Sequence, residues 1–277
     1  MRSSLNGYTC LERAAIAVVA ECDLEHKTAL AHATAKAWFS RTLSLTSGVK
    51  PALPKRPGRP EKPVLLMPRE MPKRSIEDAK GRLALVHSLA HIELNAIDLA
   101  WDLVARCARL PMPRAFFDNW VQVGLEEAKH FSLLAERLRQ LGSTYGALPA
   151  HDGLWQAAEE TGHNLIARLA IIPLVLEARG LDITPPMLEK IRAQNDHQTA
   201  AILEIIYRDE KRHVAFGTKW FLFACARHKL KPEPTFHEMV TRHFRGSLRP
   251  PFNDKARSQA GLTPGFYKPL AGITAVK

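Results

Sequence analysis

The chain has 277 residues, 46% hydrophobic and 24% charged, the balance of a soluble globular protein large enough to enclose a sizeable core. No run approaches the ~20 apolar residues of a membrane-spanning helix, and the start, with Glu12 and Arg13 inside its short apolar stretch, lacks the shape of a secretory signal, so the expectation is a cytoplasmic protein with no membrane partner. The net charge of +11 is local: residues 50–74 carry +6 and residues 226–277 carry +7, leaving −2 for the rest, so any attraction to RNA or another polyanion belongs to the extensions.

Residues 1–46 form an N-terminal segment in which 9–40, rich in Ala, Leu and Glu, read as one or two helices. Prolines at 51, 54, 57, 60, 63, 68 and 72 exclude a continuous helix through 47–75, which becomes a basic arm or linker able to wrap on the domain. Ser75, followed by early acids, opens a domain at 76–230. Four long helical patterns follow. The first, about 76–109, stops at Pro111 and Pro113; the second, about 114–141, ends at Gly142. The third, about 153–179, ends at Gly180, and Thr184 with two prolines opens a fourth over about 185–228. Asn195-Asp196-His197 reads as helix surface. Residues 231–277 are a basic, Pro-rich, irregular tail packed on the bundle, with one short helix near 234–244. Period-two alternation is absent, so the fold class is all-α: a four-helix bundle with one long crossover between the second and third helices. Cys10, Cys22, Cys107 and Cys225 are scattered without a CxxC pair and read as free thiols.

The apolar seams of the four helices each carry an acid. They run Val86, Leu89, Glu93, Ala96, Ala100, Leu103; Trp120, Val123, Glu127, His130, Leu134; Ile166, Ala170, Pro173, Glu177; and Ile202, Ile206, Glu210, His213, Gly217, Trp220. Such positions face a bundle core. A buried carboxylate neutralises or finds a cation, and four with two imidazoles would repel one another without metal. Oxygen and imidazole donors suit iron or manganese better than a soft metal. Glu93 to Glu127 is 34 residues and Glu177 to Glu210 is 33, so each half reads as Glu followed by Glu-x-x-His. One Glu from each of two helices plus Glu-x-x-His from each of the other two is the donor set of ferritin-like di-iron carboxylate bundles. The expected ligands are therefore Glu93, Glu127, His130, Glu177, Glu210 and His213, holding two iron ions, with manganese or a mixed pair as alternatives. An acid precedes each Glu-x-x-His; Glu126 is assigned to support His213, and Asp209 to support His130.

Other candidates have plainer readings. His87 and His91 lie off the Glu93 stripe and read as packing or surface histidines. Pro173, one turn before Glu177, must disturb its helix.

AHIELNAIDLAWD (90–102), EEAKHF (126–131), LEARGLD (176–182), RDEKRHVAFG (208–217) and the tail RPPFNDKARSQAGLTPGFY (249–267) resemble an uncharacterised, mainly bacterial ferritin-like family of unknown function, over roughly residues 75–270. The paired metal motifs are common to the ferritin-like superfamily; LEARGLD and the PFN tail are more particular. A more distant likeness is to tRNA-modifying non-haem di-iron hydroxylases. Ribonucleotide-reductase radical subunits place a tyrosine one turn after the first histidine, where this chain has Leu134. The resemblance implies a di-metal bundle and brings no substrate.

The leading expectation is an oxygen-activating oxidoreductase, a hydroxylase or oxidase. It would take O2, an unknown small-molecule or RNA substrate and an electron donor, and act as a monomer or dimer. Two others stand beside it: metal handling, as ferroxidase, buffer or peroxide scavenger, and a non-catalytic helical module, stapled by metal, that binds RNA or protein through its basic extensions.

Overall fold

The computed structural model describes residues 7–71 and 78–272, and the cap expected at Ser75 lies outside them. Among the described residues the chain is all-helical, with three isolated bridges and no strand. It forms two compact units that divide between Asp152 and Gly153.

The first unit holds α1 (Leu11–Ala20), α2 (Leu24–Phe39), α3 (Ala79–Cys107) and α4 (Arg114–Gln140). Asp23 caps α2 by accepting from the His26 N–H at 2.7 Å, and Asp78 caps α3 by accepting from Gly81 at 2.6 Å. The seam expected along α3 is too narrow. From Glu93 to Ala105 every residue is buried, because α1 covers one flank and α4 another. That is why α3, by length and composition, could cross a membrane, although 67% of its most apolar window is buried inside the protein. Gly124 brings α4 close to α3: a Cβ there would lie 2.6 Å from the indole nitrogen of buried Trp101.

The Pro-rich segment belongs to this unit. Its Gly58 N–H donates to the Val19 carbonyl at 2.8 Å, completing the last turn of α1, and Leu65 pairs with Ala150. The next residue, Arg59, reaches inward to Asp98 of α3, Nη2 to Oδ2 at 2.9 Å, and donates to the Asn95 amide oxygen at 2.7 Å. Lys27 of α2 takes the other oxygen of Asp98 and donates to the Val19 carbonyl at 3.1 Å. Lys27 and Asp98 are fully buried. Burial pushes the Asp98 carboxyl up, and the two cations pull it back.

The second unit holds α5 (Gly153–Thr161), α6 (Leu165–Ile171), a π-helical segment (Ile172–Glu177), α7 (Ala178–Ala193), α8 (His197–Arg227), α9 (Pro232–His243), α10 (Asp254–Gln259) and α11 (Pro264–Tyr267). The expected third and fourth helices differ from this in two ways. The first break comes at Gly162–Asn164, where Asn164 caps α6 and Arg168 donates to the Ala158 carbonyl at the end of α5. The second comes at Asn195, whose φ of 57° ends α7, followed by Asp196, which caps α8 by accepting from the Thr199 N–H at 3.0 Å. The triplet read as helix surface is thus a helix boundary. Gly180, Pro185 and Pro186, read as the end of one helix and the start of the next, all lie inside α7.

Proline at 185 has no N–H for the Leu181 carbonyl. The tail supplies the donor: Asn253 Nδ2 bonds that carbonyl at 3.1 Å. Pro173 similarly deprives the Leu169 carbonyl, and the chain widens to i→i+5 bonding there, with the Ala178 N–H donating to Pro173. The expected disturbance before Glu177 is this π-segment. Gly217 of α8 accommodates it, since a Cβ at 217 would lie 2.4 Å from the Pro173 ring.

A Cβ on Gly58 would lie 2.1 Å from the Ala20 carbonyl oxygen. Gly58→Ala therefore displaces the segment that carries Arg59, and urea unfolding should show a loss of about 1–3 kcal/mol.

Candidate metal centre

Glu127 and His130 stand one turn apart on α4, which places their donor atoms side by side. His130 Nδ1 lies 3.2 Å from Glu93 Oε2 and 3.2 Å from Glu127 Oε2. Each of the three residues offers a ligand atom within 4.8 Å of the others. All are buried, Glu127 and His130 completely. Burial and then the neighbouring Glu127 charge push the Glu93 carboxyl well up, against the pull of His130. A single imidazole N–H donates one proton and cannot fully serve two carboxylates. The two carboxylates also hydrogen-bond each other, so either a proton shared between them or a cation among the three would meet the need. Bonds of ~2.1 Å at right angles put adjacent donors ~3 Å apart, close to the separation seen. Two carboxylates and an imidazole fit iron or manganese.

The second unit repeats the pair on α8, with His213 Nδ1 3.6 Å from Glu210 Oε1, both buried. Glu177 closes the π-segment, half-buried, on a segment packed against α8. The six expected ligands thus divide three and three between the units. Glu93, Glu127 and His130 converge, Glu210 and His213 adjoin, and Glu177 arrives on its own segment. Among the acids beside them, Glu126 accepts from Gln122 at 2.6 Å, and Asp209 lies 3.3 Å from the guanidinium groups of Arg208 and Arg212.

His87 and His91 are not part of this cluster, as their position off the Glu93 stripe implied. The Tyr145 hydroxyl donates to His91 Nδ1 at 2.8 Å, and His91 Nε2–H donates to the His151 carbonyl at 3.0 Å. His87 Nε2 accepts from the Gly146 N–H at 2.9 Å and stacks on Tyr145. The two histidines hold the 141–152 loop on α3. Sequence reasoning missed Asp98, Lys27 and Arg59. The signal was there in part, as an acid alone in the apolar run 96–101.

The family described as "Protein of unknown function (DUF455)" matches residues 20–268. The chain belongs to DUF455. An uncharacterized protein of Haemophilus influenzae is 42% identical to it over 209 residues, which cover 74% of this chain and 73% of that one. No solved structure matches. The DUF455 match takes in the Pro-rich segment, all six expected ligands and nearly all of the described tail.

Burial lowers the His91 pKa to about 4 from an ordinary 6.5. A depressed histidine stabilises the fold above about pH 6.5, and this contribution fades as pH falls towards 4, by up to ~1.4 kcal/mol per pH unit. Urea midpoints should drop between pH 7 and 5, and a His91→Gln variant should start lower and fall less.

Proposed function

We propose that this chain is a ferritin-like di-iron carboxylate protein, an oxygen-activating oxidoreductase whose metals are held by Glu93, Glu127, His130, Glu177, Glu210 and His213. The observation that carries the reading is the convergence of Glu93, Glu127 and His130 in a buried core. The repeat of Glu and Glu-x-x-His in each half of the sequence extends it to six ligands and a pair of ions. The all-helical chain supports a one-crossover bundle, with the long connection ahead of α5.

The metal pair, when bound, would supply part of the electrons that reduce O2, the organic substrate giving up the rest as it is oxidised and an electron donor restoring the reduced metals. The protein's own part is to hold and to exclude. The carboxylates give up the proton that burial favours and present oxygens to the cation. Both imidazoles offer Nδ1 next to a carboxylate one turn away, which leaves Nε2–H for an orienting acceptor, the task assigned to Glu126 and Asp209. Val123 and Leu134 lie one turn either side of the Glu127–His130 pair and Ile206 one turn before Glu210, and all three are buried, which would exclude water from the ligands on their own helices.

The test is metal content after anaerobic Fe(II) loading, followed by absorbance on mixing with O2. About two irons per chain and a transient charge-transfer band support the reading. No bound iron, or loading unaffected by Glu127→Ala and Glu210→Ala, overturns it. Oxygen consumption that tracks only added iron or peroxide would point to metal handling instead. Asp209→Asn should weaken metal binding by about 10–100-fold while leaving the helical content intact by circular dichroism.

A further inference from the structure

The tail residues Asn253 and Arg257 converge on the opening turns of α7. Asp182 is the anchor, its side chain 1% exposed. It accepts from Arg257 Nε at 2.8 Å and Nη2 at 2.7 Å, and from the Asn253 N–H at 2.9 Å, with Arg179 a further 3.3 Å away. The guanidinium of Arg257 lies 4.6 Å from the Tyr267 ring centre and 5.1 Å from that of Phe252, while the Tyr267 hydroxyl donates to Asp254 at 2.7 Å. Arg257 is buried, and its Nη1 has no hydrogen-bond partner. Aiming that group at Asp182 leaves a buried donor unsatisfied, a cost that two charge-assisted bonds offset. One residue back, the Leu181 carbonyl orphaned by Pro185 takes its bond from Asn253.

These contacts fall four and five residues after Glu177, on a helix that continues from the π-segment without interruption, for Glu177 has helical φ and ψ of −70° and −39°. A π-segment closes each hydrogen bond over one residue more than an α-helix does. If that extra residue shifted along the chain, Glu177 would turn by ~100° about the helix axis. Gly217 against Pro173 fixes one end of the segment. The tail fixes the other.

We propose that Asn253 and Arg257 are positioning residues: by clamping Leu181 and Asp182 they hold the register of the π-segment and so aim Glu177 as a metal ligand. This rests on the di-metal reading above and assigns the C-terminal tail a part in it. The motif LEARGLD and the PFN tail are, on this account, two halves of one device.

Metal binding by the full-length protein, measured with Mn2+ by equilibrium dialysis, tests the idea without any substrate. Arg257→Lys and Asn253→Ala should each weaken the more weakly held ion by about tenfold or more, with far-UV circular dichroism unchanged. Glu177→Ala should produce a loss of the same kind. Arg257→Lys added to Glu177→Ala should then cost little more, because both act through one group. Pro185→Ala restores a backbone donor to Leu181 and should rescue Asn253→Ala, a result that also serves if an Arg257 variant fails to fold. Additive losses, or wild-type binding in Arg257→Lys and Asn253→Ala, overturn the positioning role while leaving the di-metal reading intact. A wild-type protein that binds no metal overturns both.

Discussion

A carboxylate sealed inside a helical core is tolerable only with positive charge or a shared proton beside it, and this chain meets the condition repeatedly. Asp98 is held by Lys27 and Arg59, Glu12 by a two-pronged contact from Arg109, and Asp182 by Arg257. Each of these pairs ties distant parts of a unit together, so the acids serve as joints. Glu93 and Glu127 break the pattern, since the partner placed between them is the imidazole of His130. Asp98, Glu12 and Asp182 come with their own arginine or lysine, whereas this pair has an imidazole between its carboxylates.

The two units use proline in complementary ways. In the first, the described Pro-rich backbone forms no α-helix and is fastened by Gly58 and Arg59 to α1 and α3. In the second, proline sits inside helical structure, and the damage is made good nearby: a wider turn after Pro173, and a borrowed side-chain donor after Pro185. Backbone satisfaction thus adds to the tail's attachment.

Much of this was legible in the sequence. α4 begins and ends within a residue of expectation, because Pro113 and Gly142 act locally on the backbone. Helical periodicity, likewise local, put Glu93, Glu127 and His130 on the core faces of their own helices. What escaped was set by residues far away in the chain. Pro185 and Pro186 read as a helix start because the donor that lets α7 pass through them comes from Asn253. Arg59 counted only as one more charge on a basic arm because its partner lies on α3. The all-round burial of α3 could not be inferred from its own pattern, since it depends on what α1 and α4 cover.

The Lys27–Asp98 pair spans 71 positions and sets an order of events during synthesis. When α1, α2 and the Pro-rich segment leave the ribosome, Lys27 and Arg59 have no carboxylate to meet, and a bare ammonium cannot be sealed in a core. Lys27 can be sealed against its partner only once α3 has emerged, so the final packing of α1 and α2 around it waits on a helix made later in the chain. Until then the apolar face of α1 has no α3 to cover it, and uncovered apolar surface of that kind invites aggregation.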